Sequence, residues 1–252
     1  MNLLTAVLKD LPEYQSLREA VENGQVACLS GLGTVHRAHI LSALRQDTGR
    51  PLAIVCQDEE TARRTIRELQ SFSKEVPAFL PTRELTLYDA STVSRGWEQK
   101  RLRVLYGLGQ GKIPVLVTSV EALMLRTVPR QTLFSATLLL QAGAEYALDE
   151  LAARLTDAGY ARTPMVEGVG QFSLRGGILD VFSPAQDAPI RCEFFGDTLD
   201  AMGYFDTVTQ RRTEVLEQAV LLPASEVQPR LHPEGLPGLV ADLQALIARQ
   251  KR

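Results

Sequence analysis

Hydrophobic positions in the first half of the chain alternate between short continuous runs and helical spacing. Apolar runs at 26–29, 52–56 and 115–117 predict strands, and segments with apolar residues three or four positions apart follow them. Pro12 is suited to the first turn of one such helix, and Asp58 to the N-cap of another. Strands that are apolar throughout need cover on both faces, so this rhythm predicts an α/β fold with a parallel sheet between helices.

From about residue 132 the pattern changes. One helix is predicted over 147–160, and strand-like segments then follow one another from 171 to 222, with glycine-containing turns between them. Alternation of apolar and polar residues is typical of antiparallel strands with one face in the core. We therefore predict an α/β domain over 1–131, a small α+β antiparallel module over 132–222, and a return segment with one amphipathic helix over 223–252.

Composition excludes several classes of protein. The chain has 252 residues, of which 45% are hydrophobic, and no apolar run approaches the about 18 residues that a membrane span requires. Charged residues interrupt the first 25 positions, so we expect no secretory leader, no membrane partner and a cytoplasmic location. A net charge of −3 argues against a dedicated nucleic-acid binder.

The cysteines do not indicate a metal site. Cys28, Cys56 and Cys192 lie far apart, and none of the three histidines accompanies them at ligand spacing. Each cysteine falls in an apolar, strand-like run. We expect buried, reduced thiols and no metal.

The loop G-L-G-T-V-H-R-A at 31–38 occupies the position of a phosphate-binding loop, between a predicted strand and a helix. A P-loop reads G-x-x-x-x-G-K-[ST], in which the glycines, the lysine and the hydroxyl each contact the nucleotide or its Mg²⁺. Gly31 fits the first position, but His36, Arg37 and Ala38 replace the second glycine, the lysine and the hydroxyl. We predict a degenerate loop with no catalysis and no bound cofactor. The alternatives are a purely structural loop and residual anion binding at the helix N-terminus.

Three motifs in the second half carry a resemblance to known proteins. G-V-G-Q-F-S-L-R-G-G-I-L-D-V-F-S-P at 168–184 is followed by R-C-E-F-F-G-D at 191–197 and by Y-F-D with T-Q-R-R over 204–212. This arrangement resembles the damage-recognition protein UvrB, and more closely the N-terminal region of the bacterial transcription-repair coupling factors (Mfd). The upstream segments L-Y-D-A-S at 87–91, L-V-T-S-V-E-A-L-M at 116–124 and R-G-W-E-Q-K-R-L at 95–102 also fit.

Two departures favour the coupling factors over UvrB. UvrB has an intact P-loop, and after its Y-D segment it has a long β-hairpin that threads between DNA strands. Here the loop is degenerate, and Tyr88-Asp89 leads within a few residues into the Trp97 helix. The resemblance implies a degenerate helicase-like (RecA-like) first domain and a second module like UvrB domain 2. It also implies that RNA polymerase binding, DNA binding and an ATP- and Mg-dependent motor would lie in downstream regions of a longer protein.

The implied role is that of a non-catalytic adaptor that binds UvrA, so that nucleotide excision repair is recruited to a stalled RNA polymerase. Arg175 aligns with the arginine of the family's R-G step, and Arg162 with the arginine of the preceding Y-A-R. Ser173 stands where UvrB often has a further arginine, so one charge-assisted contact would be missing. With Phe172 and Gly176, these residues form the predicted UvrA-binding site.

The residues themselves support this site in part. Arg162 and Arg175 are expected to be exposed at one edge of the small sheet, and an arginine beside the aromatic Phe172 has the composition of an interface hot spot. The alternative is that Arg175 only solvates a turn or pairs with Glu167. Asp180, within an apolar run, is either a buried structural acid or an edge-strand charge.

Two further functions are compatible with the sequence. One is a UvrB-type ATP-dependent helicase domain that binds DNA. The other, which does not exclude UvrA binding, is an internal lock in which the motor of the full-length chain covers the same surface and is held inactive.

Overall fold

A computed structural model describes residues 3–82, 96–227 and 234–250. The chain divides into two compact units, Met1–Ser91 with Gly107–Arg126 and Thr92–Tyr106 with Thr127–Arg252. The segment L-Y-D-A-S at 87–91 and its Tyr88-Asp89 pair lie outside the described residues.

The described part of the first unit contains a three-stranded sheet and helices before, between and after the strands. Its strands are β1 (Leu52–Cys56), β2 (Ala78–Leu80) and β3 (Val115–Ser119). Its helices are α1 (Leu3–Ala6), a 3-10 turn at Val7–Asp10, α2 (Pro12–Glu22), α3 (Thr34–Thr48), α4 (Glu59–Gln70) and α6 (Val120–Met124). Helix α5 (Gly96–Gly109) contributes residues to both units.

The sheet has the order β1-β3-β2, and both pairings are parallel, as the apolar runs predicted. The central strand β3 is buried at every position. Ala38, Ala62 and Leu69 from α3 and α4 pack against Val117, whereas Val55 on β1 is exposed. Helical cover is therefore complete over the central strand and incomplete over the first.

The predicted helix starts are confirmed. Pro12 is the first residue of α2, where a missing backbone N–H costs nothing. The Asp58 carboxylate accepts a 2.7 Å hydrogen bond from the Thr61 N–H and caps α4. That hydrogen bond lowers the pKa of Asp58 below its ordinary value.

The strand predicted at 26–29 does not form. Residues 25–30 have no regular secondary structure, and Val26 is fully exposed. A strand requires a partner for its backbone groups, and on the described residues β1 pairs only with β3. The segment instead lines a mostly apolar cleft of about 580 Å³ beside α2. Cys28 is consequently exposed, so the prediction that it is buried was wrong.

The second unit is built around a six-stranded sheet. Its strands are β5 (Ala161–Arg162), β6 (Gln171–Arg175), β7 (Ile178–Val181), β8 (Ile190–Phe195), β9 (Thr198–Phe205) and β10 (Arg212–Leu216). A separate two-stranded ribbon pairs β4 (Leu138–Gln141) with β11 (Gln218–Leu221), and the helices are α7 (Arg130–Ala136), α8 (Leu148–Asp157) and α9 (Gly235–Gln250).

The six strands follow the order β10-β9-β8-β7-β6-β5, and every pairing is antiparallel except the parallel β5–β6 pair. The alternation predicted from the sequence is realised, because Phe172, Val181 and Cys192 all face a core that α8 and the β4–β11 ribbon cover. Leu155 on α8 is fully buried in this core. The helix predicted over 147–160 and the antiparallel strands after it are confirmed.

Helix α5 is tied to the segment that follows β11. Arg101 and Glu226 form a buried ion pair in which Arg101 Nε lies 2.9 Å from Glu226 Oε2 and Nη2 lies 3.2 Å from Oε1. The carboxylate of Glu98 accepts hydrogen bonds from the Glu226 N–H and the Ser225 hydroxyl. The Arg101 guanidinium thus has a carboxylate partner, and the Glu98 carboxylate has hydrogen-bond donors, where an unsatisfied buried charge would be costly.

No helix within the described ranges is both long enough and apolar enough to cross a membrane.

Candidate functional site

Strand β6 divides its side chains between the two faces of the six-stranded sheet. Phe172 and Leu174 pack towards the core, while Ser173 and Arg175 project from the other face. We call this second side the outer face. Arg175 is the last residue of β6 and ends the strand at the exposed β6–β7 turn.

Two glycines form that turn. Gly176 has a φ of +59°, a conformation that glycine adopts at no steric cost. A Cβ on Gly177 would lie 2.7 Å from the carbonyl oxygen of Phe194, so only glycine lets the turn pack this closely against β8. The Phe194 N–H donates a 2.7 Å hydrogen bond to the Gly177 carbonyl. The turn beside Arg175 is therefore fixed to the neighbouring strand.

The buried carboxylate of Asp180 accepts a hydrogen bond from Arg175. Asp180 is 1% exposed and lies on the outer face, directly across from Ser173. Its Oδ2 accepts a 2.8 Å hydrogen bond from Arg175 Nη2. Arg191 donates two hydrogen bonds to the same carboxylate, from Nε to Oδ1 at 2.7 Å and from Nη2 to Oδ2 at 2.9 Å. One carboxylate therefore orients two guanidinium groups.

Arg191 is itself held in place from the β9–β10 side. Its guanidinium lies 4.5 Å from the centre of the Phe205 ring and donates to the carbonyl and side-chain oxygens of Gln210 at 3.1 and 2.8 Å. The hydrogen bonds to Asp180 raise the pKa of Arg191 above its ordinary value. The Asp180–Arg191 pair is thus a fixed, charged support.

Arg175 differs from Arg191 in its exposure. Its side chain is 48% exposed, and among the described residues its only hydrogen bond is the one to Asp180. A guanidinium has five N–H donors in a planar fork, so Arg175 retains donors for a carboxylate on another molecule. The alternative that Arg175 pairs with Glu167 is wrong, because its partner is Asp180.

Two predicted site residues do not reach the surface. Phe172 is 0% exposed, because alternation along β6 directs its ring into the core opposite Val181. Ser173 is also buried, and its hydroxyl donates a 2.9 Å hydrogen bond to the Pro164 carbonyl. The expectation that Phe172 and Ser173 lie on the contact surface is corrected: both support the strand that carries Arg175.

The structure does not bring Arg162 and Arg175 to one face. Arg162 is exposed on β5 at the edge of the sheet, where it aligns with Phe172 in the parallel pairing. Aligned residues of paired strands share a face, so Arg162 lies on the side of the core-facing residues and Arg175 on the outer face. A single flat surface that includes both arginines is therefore not present.

The residues of the loop at 31–38 occupy the start of α3. Gly31 has a φ of +76°, and His36 and Arg37 are exposed in the first turn of the helix. Arg37 Nε donates a 3.2 Å hydrogen bond to the carbonyl of Leu32, within the same loop. Ala38 is buried against the sheet and has no hydroxyl to offer.

The remaining thiols are buried, as predicted. Cys56 lies in the core of the first unit, and burial raises the pKa of the Cys192 thiol to about 12. Within the described residues, no group of three or more histidine, cysteine or acidic side chains is placed to hold a metal ion.

Arg191 was not among the site residues predicted from the sequence. A signal for it was available, since Arg191 occupies a polar position in the alternating run I-R-C-E of β8, and Asp180 occupies the corresponding position in I-L-D-V of β7. The register that places them opposite each other depends on the connection between these strands, which the alternation does not reveal.

Comparisons with known proteins agree on one relationship. Residues 138–227 match the family described as the UvrB interaction domain. The chain is 37% identical over 222 residues to the transcription-repair-coupling factor of Myxococcus xanthus, an alignment that covers 85% of this chain and 18% of the relative.

Two other relatives are also transcription-repair-coupling factors. The transcription-repair-coupling factor of Bacillus subtilis (strain 168) is 28% identical over 260 residues, covering 100% of this chain and 22% of the relative. That of Escherichia coli (strain K12) is 29% identical over 216 residues, covering 86% and 19%. The chain thus spans about a fifth of the length of the curated relatives it matches.

Proposed function

We propose that this chain, a homologue of part of the bacterial transcription-repair coupling factors that carries a UvrB interaction domain, is a docking region for UvrA. In this proposal the six-stranded sheet module binds UvrA and brings excision repair to a stalled RNA polymerase in the cytoplasm. Contact with the polymerase and ATP-driven movement along DNA would be supplied by other regions of a longer protein.

The observation that carries the proposal is that the Arg175 side chain is about half exposed and yet fixed by a hydrogen bond to Asp180. An arginine that is about half exposed normally has many conformations, and ordering it on binding would be costly. Here the buried Asp180 fixes one edge of the guanidinium and leaves other donors facing solvent. Such a preformed, charged group at a rigid turn suits recognition of an acidic group on a partner protein.

The proposed site can be tested by titrating purified UvrA with the wild-type chain and with Arg175→Glu. We expect charge reversal to weaken binding by about 30-fold or more, the effect of losing an interface hot spot. Arg175→Ala serves as the second variant, since Asp180 keeps both hydrogen bonds from Arg191 and the module should stay folded.

The matched control is Arg154→Glu. Arg154 is exposed in the last turn of α8, on the core-covering helix rather than on the outer face, so the same charge change should leave UvrA binding nearly unaltered. Wild-type affinity in Arg175→Glu would refute the site. A wild-type chain that does not bind UvrA would refute the function.

We further propose that this region binds no nucleotide productively. Three features of the loop at 31–38 support this: a bulky His36 at a glycine position, an Arg37 that bonds within its own loop, and a buried Ala38 in place of a metal-binding hydroxyl. Isothermal titration with ATP and Mg²⁺ tests the point. Micromolar binding would favour the alternative of a UvrB-type helicase domain.

A further inference from the structure

The β8–β9 turn presents an exposed aromatic side chain beside Arg175. Phe195 ends β8 and is 85% exposed. It is the one aromatic among the strongly exposed large hydrophobic side chains of the described residues. Single exposed apolar residues are common on protein surfaces, so exposure alone does not indicate function. Its surroundings distinguish Phe195 from such residues.

The backbone at Phe195 is held on both sides. Phe195 pairs with Thr198 across the turn. The neighbouring Phe194 donates its N–H to the Gly177 carbonyl in the β6–β7 turn and is aligned with Leu199 on β9. The N–H of Tyr146 donates a 2.7 Å hydrogen bond to the carbonyl of Asp197 within the turn. The aromatic ring therefore projects from a rigid turn.

The core anchors the same turn. Phe194, next in sequence, packs against the core cluster and meets the Tyr146 ring edge-on, with ring centres 6.5 Å apart. Because alternation directs Phe194 inward, Phe195 projects from the outer face, the face that carries Arg175. An aromatic with only two side-chain torsions, on a fixed backbone, loses little conformational entropy on binding.

Arg175 and Phe195 lie at the same end of the sheet. Arg175 is paired with Ile178 across the β6–β7 turn, and Ile178 is paired with Glu193, two residues before Phe195. Ile178 is itself partly exposed. The close approach of the two turns at Gly177 therefore brings Arg175, Ile178 and Phe195 into one patch, with a cation at one side and apolar surface at the other. The acid beside Ile178, Glu193, is ion-paired with Arg212.

We propose that Phe195 is the apolar anchor of the UvrA interface and that Ile178 extends it, while Arg175 supplies the charged contact. This inference rests on the proposed function. The complementary surface is an apolar recess next to a carboxylate, since that combination matches both parts of the patch. Aromatic and arginine side chains placed together at the centre of an interface are the composition that dominates binding energy.

The test is a titration of purified UvrA with the 252-residue chain, as wild type and as Phe195→Ala. We expect Phe195→Ala to weaken binding by about 30-fold, and Phe195→Tyr, which keeps the ring, to bind within about threefold of wild type. Thermal unfolding should be unchanged, since the ring is mostly exposed in the free protein.

The control is Val208→Ala. Val208 is 88% exposed and lies in the β9–β10 turn, at the other end of the eight-residue strand β9 from Phe195. It removes exposed apolar surface from the same module without touching the patch. Its affinity for UvrA should equal that of wild type.

Salt separates the two kinds of contact. Raising the ionic strength from about 0.1 M to about 1 M shortens the screening length from about 10 Å to about 3 Å. The loss of affinity for UvrA caused by Arg175→Ala should therefore be smaller at high salt, whereas the loss of affinity caused by Phe195→Ala should be unchanged.

The outcomes distinguish the inference from the function on which it rests. If Phe195→Ala binds like wild type while Arg175→Glu does not, the anchor is refuted and the proposed function stands. Equal losses in Phe195→Ala and Val208→Ala also refute the anchor, because the effect would then be non-specific. If the wild-type chain does not bind UvrA at all, both are refuted.

Discussion

Removing the Asp180 carboxylate should destabilise the second unit and disorder Arg175 at the same time. The substitution Asp180→Ala deletes the acceptor of three charge-assisted hydrogen bonds, two from Arg191 and one from Arg175. Both guanidinium groups then lose their anionic partner at the same point of the outer face.

Arg175 and Arg191 should contribute unequally to the free energy of unfolding that Asp180→Ala loses. Arg175 is about half exposed, so water replaces Asp180 at little cost, as for other exposed ion pairs. Arg191 is 17% exposed, so in Asp180→Ala its guanidinium would stay against the Phe205 ring and Gln210 without a carboxylate from Asp180. Breaking a buried pair by removing one partner costs about 3–5 kcal/mol, and the remaining Gln210 bonds argue for the lower end, about 3 kcal/mol.

Urea unfolding followed by tryptophan fluorescence measures this loss. Trp97 is the only tryptophan in the sequence and lies in the part of α5 that belongs to the second unit. Asp200→Ala, which removes an exposed acid from β9 of the same sheet, is the matched control. A free energy of unfolding within about 0.5 kcal/mol of wild type for Asp180→Ala would refute the assigned role of the carboxylate.

Three further predictions concern single side chains. Gly177→Ala places a Cβ 2.7 Å from the Phe194 carbonyl oxygen, so we expect urea unfolding to show a loss of about 1–3 kcal/mol in the free energy of unfolding, and unchanged stability would contradict this close approach. In the native chain Cys28 should react rapidly with a thiol reagent and Cys192 only on unfolding, as counted by absorbance, because burial raises the pKa of the Cys192 thiol. The pKa of Asp58 is lowered in the folded state, so its stabilising effect is present above its unfolded pKa and is lost as pH falls through the folded value. The difference in thermal midpoint between wild type and Asp58→Ala should accordingly disappear between about pH 5 and about pH 2, and a constant difference would rule out this cap.

Elements defined by local pattern could be predicted, whereas elements that depend on a distant partner could not. Helix α8 and the antiparallel strands follow directly from spacing and turn residues. The apolar run at 26–29 has the composition of a strand, but strand formation also needs a neighbouring edge, which composition does not reveal. The exposure of Cys28 follows from the same missing pairing.

The candidate site shows the same division. The alternation in Q-F-S-L-R is sufficient to place Arg175 on the solvent-facing side of the strand and Phe172 on the core side. Phe172 was nevertheless included in the predicted contact surface because of the resemblance to a known interface. The pairing of Asp180 with Arg191 could not be predicted, because the connection over 182–189 sets the register of β7 against β8 and has no pattern that reveals it. That Arg162 and Arg175 lie on opposite faces follows from the alignment of β5 with β6, which the sequence pattern also does not reveal.

The buried ion pair between Arg101 and Glu226 has a consequence for the architecture of the second unit. These residues are 125 positions apart, one before and one after all six strands of the sheet. The second unit is therefore assembled from two separate stretches of sequence, Thr92–Tyr106 and Thr127–Arg252, and the ion pair joins a residue of the first stretch to a residue of the second. A shortened chain without the first stretch would leave the buried Glu226 carboxylate without its guanidinium, and breaking a buried pair in this way costs about 3–5 kcal/mol. A stable form of the sheet module must accordingly keep the N-terminal part of α5 together with the strands.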